Sequence, residues 1–432
     1  MLYSSTRNPD LRVTPEQALQ AGLAPDGGLF VPNRLPAFDF RAISPEVSLP
    51  ECASQVLAPF FAGSSLAEHL EAICRRALDL PLPITAMPEH GAAFMLELFH
   101  GPTAAFKDFA ARFLAACLAA LQGRERRPQT VLVATSGDTG AAVAAAFHDL
   151  PGFRVVILYP DGRVSARQAH QLGAFGGNVE ALRVQGSFDD CQRLAKLALN
   201  DPGLVERHGL TTANSISIGR LLPQISYYAL ASTRLADRAD TDAALLDVIV
   251  PTGNLGNALA CILAREMGFP IGQVHLATNA NRTLHDYFAG ARYQGRDGLR
   301  TLANAMDVGD PSNFERLAWL YRDQDPRDAG IHAESVDDET IRARIRKEFD
   351  QSRRMICPHT ACAMEVLDGL RKNGHDGPLL VAATAHPAKF EGVIEPILGQ
   401  PVPLPPGLEE LLARPATATP LAVDFEALRQ AL

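Results

Sequence analysis

Positive charge is in short supply in this chain of 432 residues: 40 lysines and arginines stand against 49 aspartates and glutamates, a formal net charge of -9. That balance removes nucleic acid and anionic membrane surfaces from the expected partners, and the longest basic run is the short RERRPQ at 124–129. Cysteine is sparse and scattered, at positions 52, 74, 117, 191, 261, 357 and 362, an odd set that excludes a disulfide framework. The one close pair, in CPHTAC, lacks the clustered spacing of a zinc site and reads as Thr360 capping a helix. No apolar run approaches the roughly 18 residues of a membrane span. The opening MLYSSTRNPDLRV has neither the charged nor the apolar region of a signal peptide, so a cytoplasmic location is expected.

What the chain does have is 47% hydrophobic and 21% charged residues, enough for two sizeable cores and a small third unit. Three segments share one grammar, in which a β-branched apolar run ends at a polar, mostly glycine-containing loop and a helical pattern follows: TVLVATSGDTGAAVAAAF (130–147), LLDVIVPTGNLGNALACILAREMG (245–268) and, more loosely, LLVAATAHPAKFEGVI (379–394). Each reads as strand, turn and helix start. With a strand at 153–160 and helices near 165–173, 188–199 and 218–235, the alternation predicts an α/β fold with largely parallel sheets. Ligands in such sheets bind at the carboxyl ends of the strands, where all three polar loops fall. Residues 1–90, punctuated by proline and glycine, read as a small leading subdomain, and GQPVPLPPG (399–407) as an exit from the core.

The loops differ in chemistry. PTGNLGN (251–257) offers backbone amides at a helix start, suited to a phosphate. It is only GxxG with no GK[ST] after it, which leaves both a dinucleotide site and a nucleoside triphosphate loop unsupported; a glycine turn that merely lets strand and helix pack is the alternative. TSGDTG (135–140) carries hydroxyls and helix-start amides for a carboxylate or second phosphate, or else is a helix cap by Asp138 or Thr139. In HGPTAAFKDFA (100–110), Lys107 stands at the start of an apolar-periodic helix between Phe106 and Phe109. The positive helix end and the desolvating rings both disfavour its charged form, as a Schiff-base lysine requires; packing of its aliphatic stem is the alternative.

Taken together and in order, HGPTAAFKDF, ATSGDTGAA, GSFDDCQ, NSISIGRLLPQISYY, GNLGN, LANAMDVGDPSNFER and TAHPAKF resemble the threonine synthases, pyridoxal-phosphate enzymes of the fold-type II (tryptophan-synthase β) group. The resemblance spans nearly the whole chain. It implies two parallel-sheet α/β domains with the cofactor between them: a smaller one at 91–215 and a larger one at 216–400, after the 1–90 subdomain and before a tail at 401–432. It implies that Lys107 binds pyridoxal phosphate covalently and then moves protons. Gly253, Asn254, Leu255, Gly256 and Asn257 would hold the cofactor phosphate and Thr384 the pyridine nitrogen. The implied reaction converts O-phospho-L-homoserine and water to L-threonine and phosphate.

Such a substrate needs two further anion sites. Ser136, Gly137, Asp138 and Thr139 are the candidates for one. Asn214, Ser215, Ser217 and Arg220 of NSISIGR are those for the other, although Arg220 also reads as a surface arginine on a helix. Thr103 joins the substrate-binding set, and Lys389 is a further cation without an assigned place. Two departures stand out: the family more usually has NSINISR, so Ser217 replaces an asparagine and Gly219 a serine, and Thr252 and Leu255 replace a common serine and phenylalanine. A phospholyase or serine/threonine dehydratase giving a 2-oxo acid is the rival reading. A monomer or homodimer is expected.

Overall fold

The computed structural model describes residues 1–122, 128–238 and 245–432; most of the basic run RERRPQ lies outside the described residues. Two short strands, β1 (Tyr3–Ser5) and β2 (Phe30–Pro32), form an antiparallel pair. Six strands build one sheet: β3 (Ile84–Ala86), β4 (Ala93–Glu97), β9 (Leu246–Pro251), β10 (Ile271–Thr278), β11 (Ile331–Ser335) and β12 (Leu379–Ala383), in the order β11-β10-β9-β12-β4-β3. Only the edge strand β3 runs antiparallel to its neighbour. Five parallel strands build the other: β5 (Gln129–Ala134), β6 (Phe153–Pro160), β7 (Val179–Val184), β8 (Leu210–Thr211) and β13 (Thr419–Leu421), in the order β13-β7-β6-β5-β8.

Strands buried on both faces read as unbroken apolar runs; LLVAA of β12 is buried at every position. The helices expected near 165–173, 188–199 and 218–235 form as Ala166–Gly173, Phe188–Leu199 and Ile218–Arg238. The last packs against helices Leu49–Leu57 and Lys107–Leu121. Its interior Pro223 does not end it.

Two expectations need correction. The segment 91–215 does not belong wholly to the smaller sheet, because β4 pairs in parallel with β12, Ala93 opposite Leu379, and so joins the larger one. Residues 401–432 are no tail: β13 pairs with β7, and the helix Phe425–Ala431 packs on Phe188–Leu199 with Leu428 fully buried. That short strand carries too little periodic sequence to announce itself, and it forms because β7 offers a parallel edge. The expected leading subdomain, residues 1–90, packs its apolar side chains into the core of the rest of the chain. Leu57, Phe60 and Phe61 share one apolar cluster with Phe113 and Tyr227, and Phe61 meets Phe113 edge-on at 6.0 Å.

Candidate active site

The end of β12 places Lys107. Backbone N–H of Phe106 donates to the carbonyl of Thr384 at 2.9 Å, and N–H of His386 donates to that of Ala104 at 3.0 Å, so 104–106 runs as a short antiparallel strip beside 384–386. Ala104 takes a left-handed backbone, φ 56°, which turns the chain into the helix Lys107–Leu121. Lys107 is the first helical residue, half-buried, with its amine opening into a cleft of about 140 Å³ between the two sheets. The amine lies 5.6 Å from the centre of the Phe106 ring. Phe109 takes no part in covering it, since two residues along a helix its side chain faces away, and it packs on Tyr227 at 5.5 Å in the core. Desolvation, aided by the charges of Arg220 and Lys389 and opposed by Asp138, pushes the lysine down to about 8.

The TSGDTG loop follows β5 and opens the helix Asp138–Phe147. Neither Asp138 nor Thr139 caps it. Gly137 holds the cap position, at φ 132°, where an added Cβ would meet the Gln168 side chain at 2.7 Å. Thr135 Oγ1 instead accepts from Gly137 N–H and Gly140 N–H, both at 2.9 Å, while the N–H groups of Ser136, Asp138 and Thr139 have no partner among the described residues and can meet a ligand. Ser136, Asp138 and Thr139 line the cleft, while Gly137 lies behind its wall. Burial would raise the Asp138 carboxyl, but the ammonium groups of Lys389 and Lys107 and the amide of Gln168 hold it well below the usual range.

Opposite, the turn after β9 leads into the helix Gly256–Glu266 through Leu255, a bulky residue in the left-handed region at φ 63°. The backbone N–H groups of Gly253, Asn254, Leu255 and Gly256 make no hydrogen bond among the described residues. Asn257 Oδ1 lies 2.7 and 2.9 Å from the hydroxyls of Tyr227 and Tyr228, which fixes the amide so that the buried Nδ2 is left without a partner among the described residues. Thr384, just past β12, lines the same cleft.

NSISIGR is tied to this loop: Asn254 Nδ2 donates to Ser215 Oγ at 2.6 Å. Asn214, Ser215 and Arg220 line the cleft. Arg220 is no surface arginine, being 3% exposed, with Nη1 on the Ala213 carbonyl and Nε unpartnered among the described residues; burial pushes it down to about 10. Ser217 and Thr103 are fully buried behind the wall, and Thr103 bonds Asp108 through Oγ1 at 2.6 Å and N–H at 2.9 Å. Gly219 faces the core, where a Cβ would meet Leu19 at 2.5 Å and Leu114 at 2.8 Å, so the glycine answers to packing and not to a ligand.

Family models match the whole of this arrangement: "Pyridoxal-phosphate dependent enzyme" over residues 81–384, "Threonine synthase N terminus" over 2–78 and "Threonine synthase, C-terminal" over 360–432. The chain belongs to the threonine synthase family. It is 38% identical over 428 residues to the threonine synthase of Haemophilus influenzae, covering 98% of this chain and 97% of that one. The crystal structure of threonine synthase from Escherichia coli superposes with a TM-score of 0.92 at 38% identity, covering 100% and 99% of the two chains. The PLP-bound threonine synthase of Brucella melitensis gives 0.90 at 33%, covering 100% and 98%. The activity is that of a threonine synthase, a pyridoxal-phosphate-dependent lyase of fold-type II. Among the described residues no helix is long and apolar enough to cross a membrane.

The residues present fit the threonine synthase cofactor. An amine held down to about 8, a row of free amides at a helix start, the unpartnered Nδ2 of Asn257 and the Thr384 hydroxyl converge on one cleft. Sequence reading missed several contributors. His359 lines the cleft, accepts from Ala305 N–H at 3.1 Å and is pushed down to about 4 by burial. Its helix, Pro358–Lys372, is capped by Cys357, whose sulfur accepts from Thr360 N–H at 3.4 Å; Thr360 is not the cap. Buried Arg316 donates to the Ile216 carbonyl at 2.7 Å and to Asn313 at 2.8 Å, bracing the NSISIGR loop. Its SNFER stretch carries part of the family resemblance, but nothing in the residues themselves assigns it a physical role, and only the fold shows what Arg316 touches.

Proposed function

We propose that the chain converts O-phospho-L-homoserine and water to L-threonine and inorganic phosphate, with Lys107 as the catalytic residue. The observation that carries the reading is the placement of this half-buried amine, held down to about 8, between two sets of free anion-binding groups. The amides of Ser136, Asp138 and Thr139 suit the substrate carboxylate, and Asn214, Ser215 and Arg220 suit its phosphate. Gly253 to Asn257 would hold the cofactor phosphate, and Thr384 would meet the pyridine nitrogen; a hydroxyl there, unlike a carboxylate, leaves that nitrogen largely unprotonated. Pyridoxal phosphate, when bound, supplies an electron sink that makes C–H bonds at the α and β carbons acidic.

Lys107 takes a proton from the α carbon, passes it to the substrate phosphate and, neutral again, takes the β proton as the γ C–O bond breaks and hydrogen phosphate leaves. It delivers that proton to the γ carbon, and the proton that water gives up as its oxygen adds to the β carbon passes through Lys107 to the α carbon. Arg220 keeps the departing phosphate paired, and Phe106 shields the amine from bulk water on one side. Incubation with O-phospho-L-homoserine in ¹⁸O-labelled water tests this: the product should be threonine carrying the label on its β-hydroxyl, one per phosphate released. 2-Oxobutyrate as the main product would make the enzyme a phospholyase instead.

A further inference from the structure

Lys389 was a cation without a place in the sequence. It is fully buried, and its Nζ forms an ion pair with Asp138 Oδ1 at 2.9 Å and donates to the Thr103 carbonyl at 2.7 Å. The two elements that meet in the Lys389–Asp138 pair come from different sheets. Lys389 lies in the turn Pro387–Phe390 after β12, whereas Asp138 opens the helix after β5. That turn is itself fixed, since Ser165 Oγ donates to the Lys389 carbonyl at 2.9 Å and Arg167 Nη1 to the Ala388 carbonyl at 2.6 Å. Gln168 Nε2 donates to the same Asp138 oxygen at 2.9 Å, and Gln168 Oε1 accepts from Asn304 Nδ2 at 3.0 Å.

A carboxylate in a loop that receives a substrate carboxylate is a contradiction unless something cancels its charge. We propose that Lys389 is a positioning residue: by pairing with Asp138 across the boundary between the sheets, it removes the repulsion that would otherwise bar an anion from the free amides of Ser136, Asp138 and Thr139. This rests on the substrate reading above. A buried ion pair kept for stability alone gains little over an apolar replacement, whereas one kept for charge cancellation leaves a signature in carboxylate recognition. Charges on the order of 8 Å apart at an effective dielectric of about 20 change affinity roughly thirtyfold.

The test uses the holoenzyme and two probes: the phosphonate in which a methylene replaces the ester oxygen of O-phospho-L-homoserine, and the same compound lacking its carboxylate, aminobutylphosphonate. The readout is the ratio of their affinities by calorimetry. K389M should lower the ratio roughly thirtyfold, and K389M/D138N should restore it to within about threefold of wild type. D138N alone, which leaves the Lys389 cation uncancelled, should move the ratio in the opposite direction, and it carries the test if K389M does not fold. A ratio unchanged in K389M, a double variant as impaired as K389M, or a fall in D138N overturns the role of Lys389 alone. A wild-type enzyme that makes no threonine from O-phospho-L-homoserine overturns the substrate reading and this inference together.

Discussion

Replacing Arg220 by methionine separates what the fold tolerates from what the chemistry requires. The guanidinium is 3% exposed and pushed well down from its ordinary value, to about 10, by burial, an effect that the nearby Asp108 only partly offsets. A fall of that size corresponds to ~3 kcal/mol of cost to the folded state. Because the folded value is the lower one, the cost is fully present below about 10 and fades only as pH rises beyond it, so at neutral pH it is whole. Methionine relieves it and fills similar volume, while losing one charge-assisted hydrogen bond to the Ala213 carbonyl, worth ~1.5 to 3 kcal/mol. The two nearly cancel. The ligand-free variant should therefore melt within a few degrees of wild type, whereas the KM for O-phospho-L-homoserine should rise on the order of a hundredfold, the scale of a lost charge pair to phosphate of about 3 kcal/mol. Inorganic phosphate should raise the melting temperature of the wild type and not of the variant. Thermal melts with and without phosphate, beside initial rates, check this. A variant destabilised by more than about 3 kcal/mol with an unchanged KM would take Arg220 out of the substrate site and make it a structural residue.

Other outcomes follow from the same geometry. Gly219→Ser, which brings in the residue more usual in the family, should destabilise this chain by about 1 to 3 kcal/mol in denaturant melts, because Leu19 and Leu114 must move; its KM should not change, and a lowered KM would return position 219 to the ligand site. In the cofactor-free protein the rate at which Lys107 captures added pyridoxal phosphate should rise with pH and level off near about 8, where its amine is half neutral. A rate still climbing toward about 10.5 would mean an ordinary lysine.

Much of the fold was legible because parallel sheets write themselves as apolar runs. β5, β9 and β12 each end at the polar loop expected of them, and the three loops meet in one cleft. What could not be read was pairing: nothing in AFMLE says that β4 belongs beside β12, and three residues of β13 carry no period. In the site, residue types with a chemistry of their own were visible: Lys107, the glycine loops and the TSGDTG hydroxyls. Residues whose part depends on a distant partner were not. Lys389 meets Asp138 from 251 positions away, and the role of Gly219 emerges only when Leu19 and Leu114 close over it. Thr135 was passed over for Asp138 and Thr139 as the organiser of its turn, since all three can accept from backbone N–H and only the folded loop selects one.

If Lys107 does the proton transfers of a threonine synthase reaction, its loss must stop the chemistry while leaving the cofactor pocket in place. Lys107→Ala, loaded with pyridoxal phosphate and given O-phospho-L-homoserine, is the decisive variant, with threonine followed by chromatography and retained cofactor by absorbance. The cofactor should bind without a covalent link that borohydride can fix, and no threonine should form. General acid–base catalysis ordinarily contributes about 10² to 10⁴ in rate, so turnover within about tenfold of wild type would show that some other group moves the protons.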